Sequence, residues 1–361
     1  MASRGSPLPP GSTIGILGGG QLSRMLALAA ARLGFDVAIL DPEADAPAAR
    51  VACHGLVGDY DDPSGLARLA ALSQVVTFEF ENVPASAVAH LKAAGVAVAP
   101  NAQALAVAQD RIAEKTYLNA AGVATVAFAG AETEAEASMA VQAVGLPCLM
   151  KTRREGYDGK GQVWIEHAPE AATAFRSLGS RPVICEAAAA FVRELSVIAA
   201  RGQGGEIAVY PLAENHHEGG ILRRSRAPAQ VSTALTNQAE KIAHQILTGL
   251  DYVGVIGIEL FELADGRLLV NEIAPRVHKT GHWTQDGCEV DQFEQHIRAI
   301  AGWPLGPTAA HSRVEMINLI GADAANWAKL AAEPESRLHL YGKRAAKAGR
   351  KMGHVNRLSP L

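Results

Sequence analysis

A glycine-rich, cationic segment is the part of this sequence best suited to phosphate chemistry. Residues 151–162 read KTRREGYDGKGQ and carry three glycines and four cations. Glycine lets backbone N–H groups wrap around phosphates, and the cations can neutralise phosphate charge. The segment is not a Walker A sequence, and an ordinary basic hairpin turn is the alternative interpretation. We predict a mobile loop that closes over phosphates.

Two acidic residues of a predicted hairpin, Glu259 and Glu272, are candidate metal ligands. Asp265-Gly266 lies at the centre of the hairpin and is typical of a two-residue type I′ turn, which places Glu259 directly opposite Glu272. Carboxylates that face each other destabilise a sheet, and a divalent cation between them would remove the conflict. Oxygen ligands beside a phosphate loop indicate Mg²⁺. The alternative is that one acid is protonated or paired with a lysine. Asn271 could add an oxygen only if its strand is twisted or bulged.

The turn GGGQ at residues 18–21 follows a predicted strand and opens a helix, so its amides could bind an anion. As a dinucleotide fingerprint it is incomplete, because Ser23 replaces the third glycine. Asp41, at the end of the next strand, could still hold a ribose as in NAD enzymes. An NAD site, another phosphate ligand and a simple tight turn all remain open on this segment alone.

Two further groups of charged residues have the right types for ligand binding. Glu79 and Glu81 end a strand and point to the same side, so they repel unless a donor-rich ligand, such as an amino heterocycle or a ribose, binds them. Solvated loop acids are the alternative. Near the C-terminus a phosphate pocket and a solvated face are equally consistent with five closely spaced cations: Lys343, Arg344, Lys347, Arg350 and Lys351.

The elements that must position these residues predict a mixed fold of α/β and α+β class. Strands and helices alternate over residues 13–100, which predicts a Rossmann-like parallel sheet. A compact α+β unit with a strand at 123–128 follows, and long β segments begin near residue 183, including one at 206–214. We place the domains at 1–110, 111–185 and 186–361.

Composition excludes several classes of protein. The formal charge of −4 argues against a surface that binds nucleic acid. Four widely spaced cysteines suggest neither a zinc ribbon nor a disulfide framework, which favours a reducing cytoplasm. No run approaches the ~18 apolar residues needed to cross a bilayer, so we expect no membrane association.

Taken together, the chain resembles the ATP-dependent carboxyaminoimidazole ribonucleotide synthases of the ATP-grasp superfamily over nearly its whole length. The resemblance rests on GGGQL, FEFENVP, KTRREGYDGKGQ, VNEIAPRVHKTGHWTQ and GRKMGHVN. It implies the ATP-grasp fold, with an N-terminal Rossmann-like domain, a small lid domain and a larger C-terminal β-rich domain. It also implies a homodimer and functional coupling to a mutase that uses the unstable product.

The resemblance further implies the cofactors ATP and Mg²⁺, the substrates aminoimidazole ribonucleotide and bicarbonate, and a role for each site residue. Expected at ATP are Arg111, Lys151, Gly156, Tyr157, Asp158, Gly159, Lys160, Gly161, Gln162, Glu186, Ala187, Ala188, Ala189, Glu194, His217, Asn271 and Glu272, with Glu259 and Glu272 at the metal. Expected at the ribonucleotide are Gly20, Gln21, Leu22, Glu79, Asn82, Arg276, His278, Lys343, Arg350 and Lys351. The groups expected to act on the reacting atoms are Tyr157, Asp158, Arg276 and Lys343.

Three other functions remain to be weighed. A formate-using ribonucleotide transformylase would share the ATP site and differ in its acyl donor. An NAD-dependent oxidoreductase explains only residues 13–41 and leaves the glycine loop and the acid pair without a role. A catalytically silent nucleotide-binding module would be expected to have lost its site acids, and Glu259 and Glu272 are present.

Overall fold

The first part of the chain forms a five-stranded parallel sheet; the structure, a computed structural model, describes residues 6–156 and 159–361. Its elements are β1 (Thr13–Leu17), α1 (Gln21–Arg32), β2 (Asp36–Asp41), β3 (His54–Val57), α2 (Pro63–Leu72), β4 (Val75–Phe78), α3 (Ala85–Ala93) and β5 (Ala97–Val98). The strand order β3-β2-β1-β4-β5 confirms the Rossmann-like prediction and puts the topological switch point between β1 and β4. Ligands of open α/β sheets bind outside the strand ends at that point.

Two capped helices connect this sheet to the next. They are α4 (Ala102–Ala108) and α5 (Arg111–Ala120). The side chain of Asn101 caps α4 by accepting a hydrogen bond from the Ala104 N–H, and Asp110 caps α5 in the same way. Because Asp110 fixes where α5 begins, it also fixes the direction in which the first turn of that helix points.

A four-stranded antiparallel sheet follows. It is built from β6 (Phe128–Ala131), α6 (Glu134–Val144), β7 (Cys148–Thr152), β8 (Gln162–Ile165), α7 (Glu170–Ser177) and β9 (Val183–Ala187), in the order β6-β9-β7-β8. The predicted strand 123–128 is wrong, since pairing with β9 begins only at Phe128. Apolar residues of one face pack against α6 and α7, which leaves the other face available to a ligand.

The rest of the chain forms a nine-stranded sheet with its helices and short 3₁₀ turns. The elements are β10 (Phe191–Arg201), β11 (Ile207–Val209), β12 (Ala213–Glu218), β13 (Ile221–Ala227), α8 (Thr233–Gly249), β14 (Gly254–Leu263), β15 (Leu268–Ala274), α9 (Thr284–Gly287), α10 (Gln292–Ile300), β16 (Arg313–Ile320), α11 (Trp327–Ala331), β17 (Ser336–Leu340) and β18 (Lys351–Ser359). The main strand order is β15-β14-β10-β12-β13-β16-β18-β17, with β11 beside β10. Among the described residues no helix has the length and apolar content to cross a membrane.

Two predictions about these strands need correction. The segment 206–214 is two short strands, β11 and β12, because Pro211 between them has no N–H to donate to a ladder. The hairpin loop between Leu263 and Arg267 has three residues instead of the predicted two, since the Leu263 N–H donates to the Arg267 carbonyl and Gly266 adopts φ +80°. The longer connection moves the pairing by one residue, so that Glu262 lies opposite Leu268.

A bulge further along the hairpin reverses this shift. Leu260 pairs with Val270, whereas Glu259 pairs with Glu272, so Asn271 is the extra residue of β15. The predicted pairing of Glu259 with Glu272 is therefore confirmed, although the turn on which it rested is wrong.

Candidate active site

The glycine turn after β1 is held by two carboxylates of the protein itself. The Gly20 N–H donates to Glu79 Oε1 at 2.6 Å, and the Ser23 N–H donates to Glu79 Oε2 at 3.1 Å. The Gly19 N–H donates to Asp41 Oδ2 at 2.6 Å. A Cβ at Gly20 would lie 2.3 Å from Glu79 Oε1, so this close approach requires glycine.

These contacts remove the basis of the NAD interpretation. The amides that would bind a pyrophosphate already bind carboxylates, and Asp41 also accepts a hydrogen bond from the Tyr60 hydroxyl at 2.8 Å. Burial raises the pKa of Glu79, while the two amides and Arg276 oppose that rise. The turn therefore presents an acidic side chain, not a phosphate cradle, at the sheet switch point.

Beside Glu79, Glu81 forms an ion pair with Arg276, whose Nε donates to Glu81 Oε2 at 2.5 Å. Burial opposes ionisation of Glu81, but Arg276 outweighs it and lowers the pKa of this carboxyl. Arg276 follows β15, so the pair joins the Rossmann-like sheet to the nine-stranded sheet. It places a guanidinium at the boundary between the two.

The first turn of α5 anchors the glycine loop. Arg111 donates from Nη2 to the Gly156 carbonyl at 3.1 Å and from Nη1 to Glu272 Oε2 at 3.3 Å. The Arg111 N–H donates to the Arg153 carbonyl at 3.1 Å. One helix start thus connects the loop with the acidic hairpin.

The open face of the four-stranded sheet carries polar and aromatic residues in register. Lys151 pairs with Gln162, and Leu149 pairs with Trp164, so all four side chains share one face. The Lys151 ammonium donates to Glu186 Oε2 at 2.7 Å. Burial alone would raise the pKa of Glu186, but Lys151, Lys115 and Arg111 together hold it below its ordinary value.

A facing surface of the nine-stranded sheet carries the second half of the site. The rings of Phe191 and Phe261 stack with centroids 4.6 Å apart. His217 Nδ1 lies 2.5 Å from Glu194 Oε2. An apolar ring stack beside a carboxylate and an imidazole suits a purine nucleoside, whose base is flat and whose ribose has hydroxyl groups.

Glu259 and Glu272 meet the conditions for a divalent cation. Glu259 Oε1 is buried and has no hydrogen-bond partner among the described residues, a cost that a cation would remove. Burial and the charge of Glu272 raise the pKa of Glu259. Burial acts in the same direction on Glu272, but Arg111, Lys151 and Lys279 outweigh it and lower that pKa. The donor set fits Mg²⁺, which prefers a few carboxylate oxygens together with phosphate.

The cationic C-terminal segment turns back toward the Rossmann-like sheet. Arg344 Nε lies 3.0 Å from Asp45 Oδ2, and Arg50 donates to the Gly342 carbonyl at 2.8 Å. Burial and the neighbouring Arg350 lower the pKa of Lys343 to about 8, with Glu79 acting in the opposite direction. The cations are therefore close to one another and to the switch point.

Most of these groups line one cleft of about 710 Å³. Among the predicted site residues, those that line it are Gln21, Leu22, Glu79, Asn82, Arg111, Lys151, Gly156, Gly159, Lys160, Gln162, Glu194, His217, Glu259, Asn271, Glu272, Arg276, His278 and Lys351. Outside the lining are Gly20, Gly161, Glu186, Ala187, Ala188, Ala189, Lys343 and Arg350. Tyr157 and Asp158 lie outside the described residues.

Sequence reasoning missed several residues at the cleft. Among the omitted side chains are Glu114, Lys115, Leu149, Trp164, Phe191, Phe261, Lys279, Asn318 and Tyr341; all of these line the cleft except Lys115, which contacts Glu186. Lys115 had a usable signal, because it lies four residues after Arg111 on α5 and shares its helix face. The aromatic residues had none, since a large apolar residue in or beside a strand is more often part of the core than of a ligand site.

A small antiparallel sheet that faces a larger one across a glycine loop and an acid pair, next to a Rossmann-like domain, defines the class of ATP-grasp enzymes. The ATP-grasp domain pattern matches residues 116–293, the ribonucleotide synthetase preATP-grasp domain matches 12–109, and the phosphoribosylaminoimidazole carboxylase C-terminal domain matches 315–360.

Comparison with named relatives identifies the family within this class. The chain is 50% identical to N5-carboxyaminoimidazole ribonucleotide synthase of Brucella melitensis over an alignment of 355 residues. This alignment covers 98% of each of the two chains. The crystal structure of the Thermus thermophilus synthetase matches with 45% identity and a TM-score of 0.90, over 96% of this chain and 93% of that one. The Aspergillus clavatus synthase, crystallised with ADP and 5-aminoimidazole ribonucleotide, matches with 31% identity and a TM-score of 0.91. The match covers 97% of this chain and 94% of the Aspergillus chain. The chain belongs to the N5-carboxyaminoimidazole ribonucleotide synthase family.

Proposed function

We propose that this protein uses ATP and bicarbonate to carboxylate the exocyclic amine of 5-aminoimidazole ribonucleotide, releasing ADP and phosphate. The observation that carries the proposal is the single cleft, which holds the Lys151 loop, the Glu259–Glu272 pair and the Glu79–Arg276 boundary together. These are the parts that phosphoryl transfer followed by capture of an acyl group requires.

We assign the half of the cleft between the two antiparallel sheets to ATP. Lys151 and the backbone of 156–162 would bind the phosphates, while Arg111 supports the loop at Gly156. The Phe191–Phe261 stack, Glu194 and His217 suit the nucleoside, with the segment Glu186 to Ala189 as the hinge beside it. Glu259, Glu272 and the bulged Asn271 would hold Mg²⁺, which lowers the cost of the charge that develops as the γ-phosphate leaves.

We assign the other half of the cleft, at the Rossmann-like sheet, to the ribonucleotide. Glu79 is an acceptor for its donor-rich ring and ribose, with Gln21, Leu22 and Asn82 beside it; the Gly20 amide sets the orientation of Glu79. Lys343, Arg350 and Lys351 would bind the 5′-phosphate, because a dianion is the ligand that a compact group of cations favours.

The chemistry follows from this arrangement. Bicarbonate attacks the γ-phosphorus, the bond to the β-phosphate oxygen breaks, and carboxyphosphate forms. The amine of the ribonucleotide then bonds to the carbonyl carbon as phosphate leaves and the amine loses a proton. Arg276 would stabilise the negative charge of the acyl phosphate. His278, whose pKa is lowered by burial, would contact the ribonucleotide as a neutral hydrogen-bonding group. Asp158, next to Tyr157, is our candidate for orienting the amine and accepting its proton.

The test is to measure ADP release with and without each substrate. We expect release to require Mg²⁺ and bicarbonate and to rise strongly when aminoimidazole ribonucleotide is added. Formate in place of bicarbonate should not support the reaction. Equal rates with formate would contradict the proposal and favour a transformylase.

Three further assignments belong to the same proposal. We infer a homodimer, which light scattering of the purified chain would test. We infer that the product passes to a mutase, since a carbamate on nitrogen is unstable and must be used quickly. We also place the protein in the cytoplasm, where its four cysteines, three of them buried, would stay reduced.

A further inference from the structure

Helix α5 contributes two adjacent ionisable side chains that the proposed chemistry does not use. Glu114 is 2% exposed and Lys115 is 1% exposed. Charged residues are almost never this deeply buried unless they are paired or hydrogen-bonded, since desolvation of a charge is costly. Their partners therefore indicate what they do.

Both side chains bind the backbone of β15 at its bulge, on either side of Glu272. The Ile273 N–H donates to Glu114 Oε1 at 2.5 Å, and the Lys115 ammonium donates to the Asn271 carbonyl at 3.1 Å. Because β15 is the edge strand of its sheet, these groups face away from β14 and no neighbouring strand can bind them. The side chains of α5 take the place of that missing strand.

The bulge at which these two contacts lie sets the geometry of the acid pair. Without the extra residue, the register left by the three-residue connection would place Asn271 opposite Glu259 and Glu272 opposite Ile258. A shift of one residue turns a side chain to the other face of a sheet. Glu272 would then point away from Glu259 and from the cleft.

We propose that Glu114 and Lys115 are positioning residues that hold the bulge at Asn271 and thereby keep Glu272 opposite Glu259. Lys115 adds a second link, because its ammonium also lies 3.3 Å from Glu186 Oε1. The inference rests on the proposed function, since it takes the acid pair as the magnesium site. It assigns to α5 a role in metal binding although neither residue is a proposed metal ligand.

The experiment measures ADP binding by calorimetry in MgCl₂ and in EDTA, and takes the ratio of the Kd without metal to the Kd with metal. Glu114→Leu removes the acceptor for Ile273, and Lys115→Met removes the donor to Asn271 while keeping an unbranched side chain. We expect each to lower the ratio about tenfold or more, the size of effect typical of groups that orient metal ligands. Glu114→Gln retains an acceptor oxygen and should keep the wild-type ratio.

A matched control is available on the same strand. Gln238 of α8 accepts a hydrogen bond from the Leu268 N–H of β15, on the far side of the hairpin from the bulge. Gln238→Leu removes the same kind of contact, so we expect it to lower the unfolding temperature without changing the metal ratio. If Glu114→Leu does not fold, Lys115→Met decides the question.

The possible results distinguish a failure of the positioning role from a failure of the proposed function. A wild-type ratio well above one, with unchanged ratios in Glu114→Leu and Lys115→Met, would overturn the positioning role alone. A fall in the ratio of Gln238→Leu equal to theirs would also overturn it, because any loosening of β15 would then suffice. A wild-type ratio of one would overturn the inference together with the magnesium site, whereas failure of bicarbonate-dependent ADP release would reject the proposed reaction.

Discussion

Asp110 accepts a hydrogen bond from Nε of Arg153 at 2.8 Å, and this contact ties the start of the glycine loop to helix α5. The other carboxylate oxygen of Asp110 lies 3.0 Å from Nη2 of Arg154. The same side chain caps α5 through the amides of Ile112 and Ala113. Desolvation by burial would raise the pKa of Asp110, but the two arginines and the Ala113 amide outweigh it and lower that pKa. One carboxylate thus fixes the loop and the helix together.

Replacing Asp110 with Asn should separate these two roles. Asn caps helices as well as Asp does, so we expect the unfolding temperature to fall by only about 2–4 °C. The arginines lose their charged partner, so the KM for ATP should rise about three- to tenfold with little change in the KM for the ribonucleotide. Asp62→Asn is the control, because Asp62 caps α2 in the same way without an arginine. An unchanged KM for ATP would show that Asp110 is only a helix cap.

Replacing Glu259 or Glu272 with Gln should lower kcat by at least about a hundredfold, since each change removes a charge from the site that stabilises phosphoryl transfer. The metal-free Glu259→Gln variant should unfold at or above the wild-type temperature, because it relieves repulsion across the ladder. Glu272→Gln should fold but unfold at a somewhat lower temperature, because it removes the charge that pairs with Arg111. Turnover and thermal unfolding in EDTA measure the two effects. Ordinary turnover, or loss of folding, would exclude the hairpin as the metal site.

Limited trypsin digestion should report on the glycine loop. The contacts of Asp110 hold Arg153, so we expect the first cut in the free protein after Lys160, an exposed residue, and a slower one after Arg153. MgADP should slow the cut at Lys160 as the loop closes. Aminoimidazole ribonucleotide alone is the control and should give little protection. Equal rates with and without MgADP would exclude a closing loop.

Alanine substitution tests the phosphate pocket at the C-terminal segment. Each charge-assisted contact should contribute about 1.5–3 kcal/mol, so Lys343→Ala, Arg350→Ala and Lys351→Ala should each raise the ribonucleotide KM about ten- to a hundredfold. The KM for ATP should barely move. Lys347→Ala is the control, because Lys347 is exposed in the same segment. Wild-type KM values in the first three variants would leave the segment as a solvated face.

The pH dependence of the ribonucleotide KM should reflect Lys343. Burial and Arg350 lower its pKa to about 8, so the side chain is charged below that pH and neutral above it. The KM should therefore rise as the pH increases through about 8. Lys343→Arg should remove this rise, because a guanidinium keeps its charge throughout the range. Initial rates of ADP release between pH 7 and pH 9 provide the measurement, and a flat wild-type profile would rule out Lys343 as the titrating group.

The sequence by itself determined the local elements, namely the strands, turns and helix caps that depend on residues close together along the chain. The strand, glycine turn and helix at 13–32 and the cap at Asn101 were readable, because backbone propensity and side-chain periodicity are local. The pairing of Glu259 with Glu272 was also predicted, but the bulge at Asn271 was not. A bulge depends on contacts from another element, here Glu114 and Lys115 of α5.

Only the tertiary structure decided which polar groups bind other residues of the protein and which are available to a ligand. Gly19 and Gly20 bind Asp41 and Glu79, residues 22 and 59 positions away, so their amides are not available to a phosphate. The C-terminal cations reach the first sheet only because the segment around Gly342 docks against Arg50. Such contacts join parts of the chain that are distant in sequence, and their existence depends on how the two sheets and α5 pack, which no local pattern encodes.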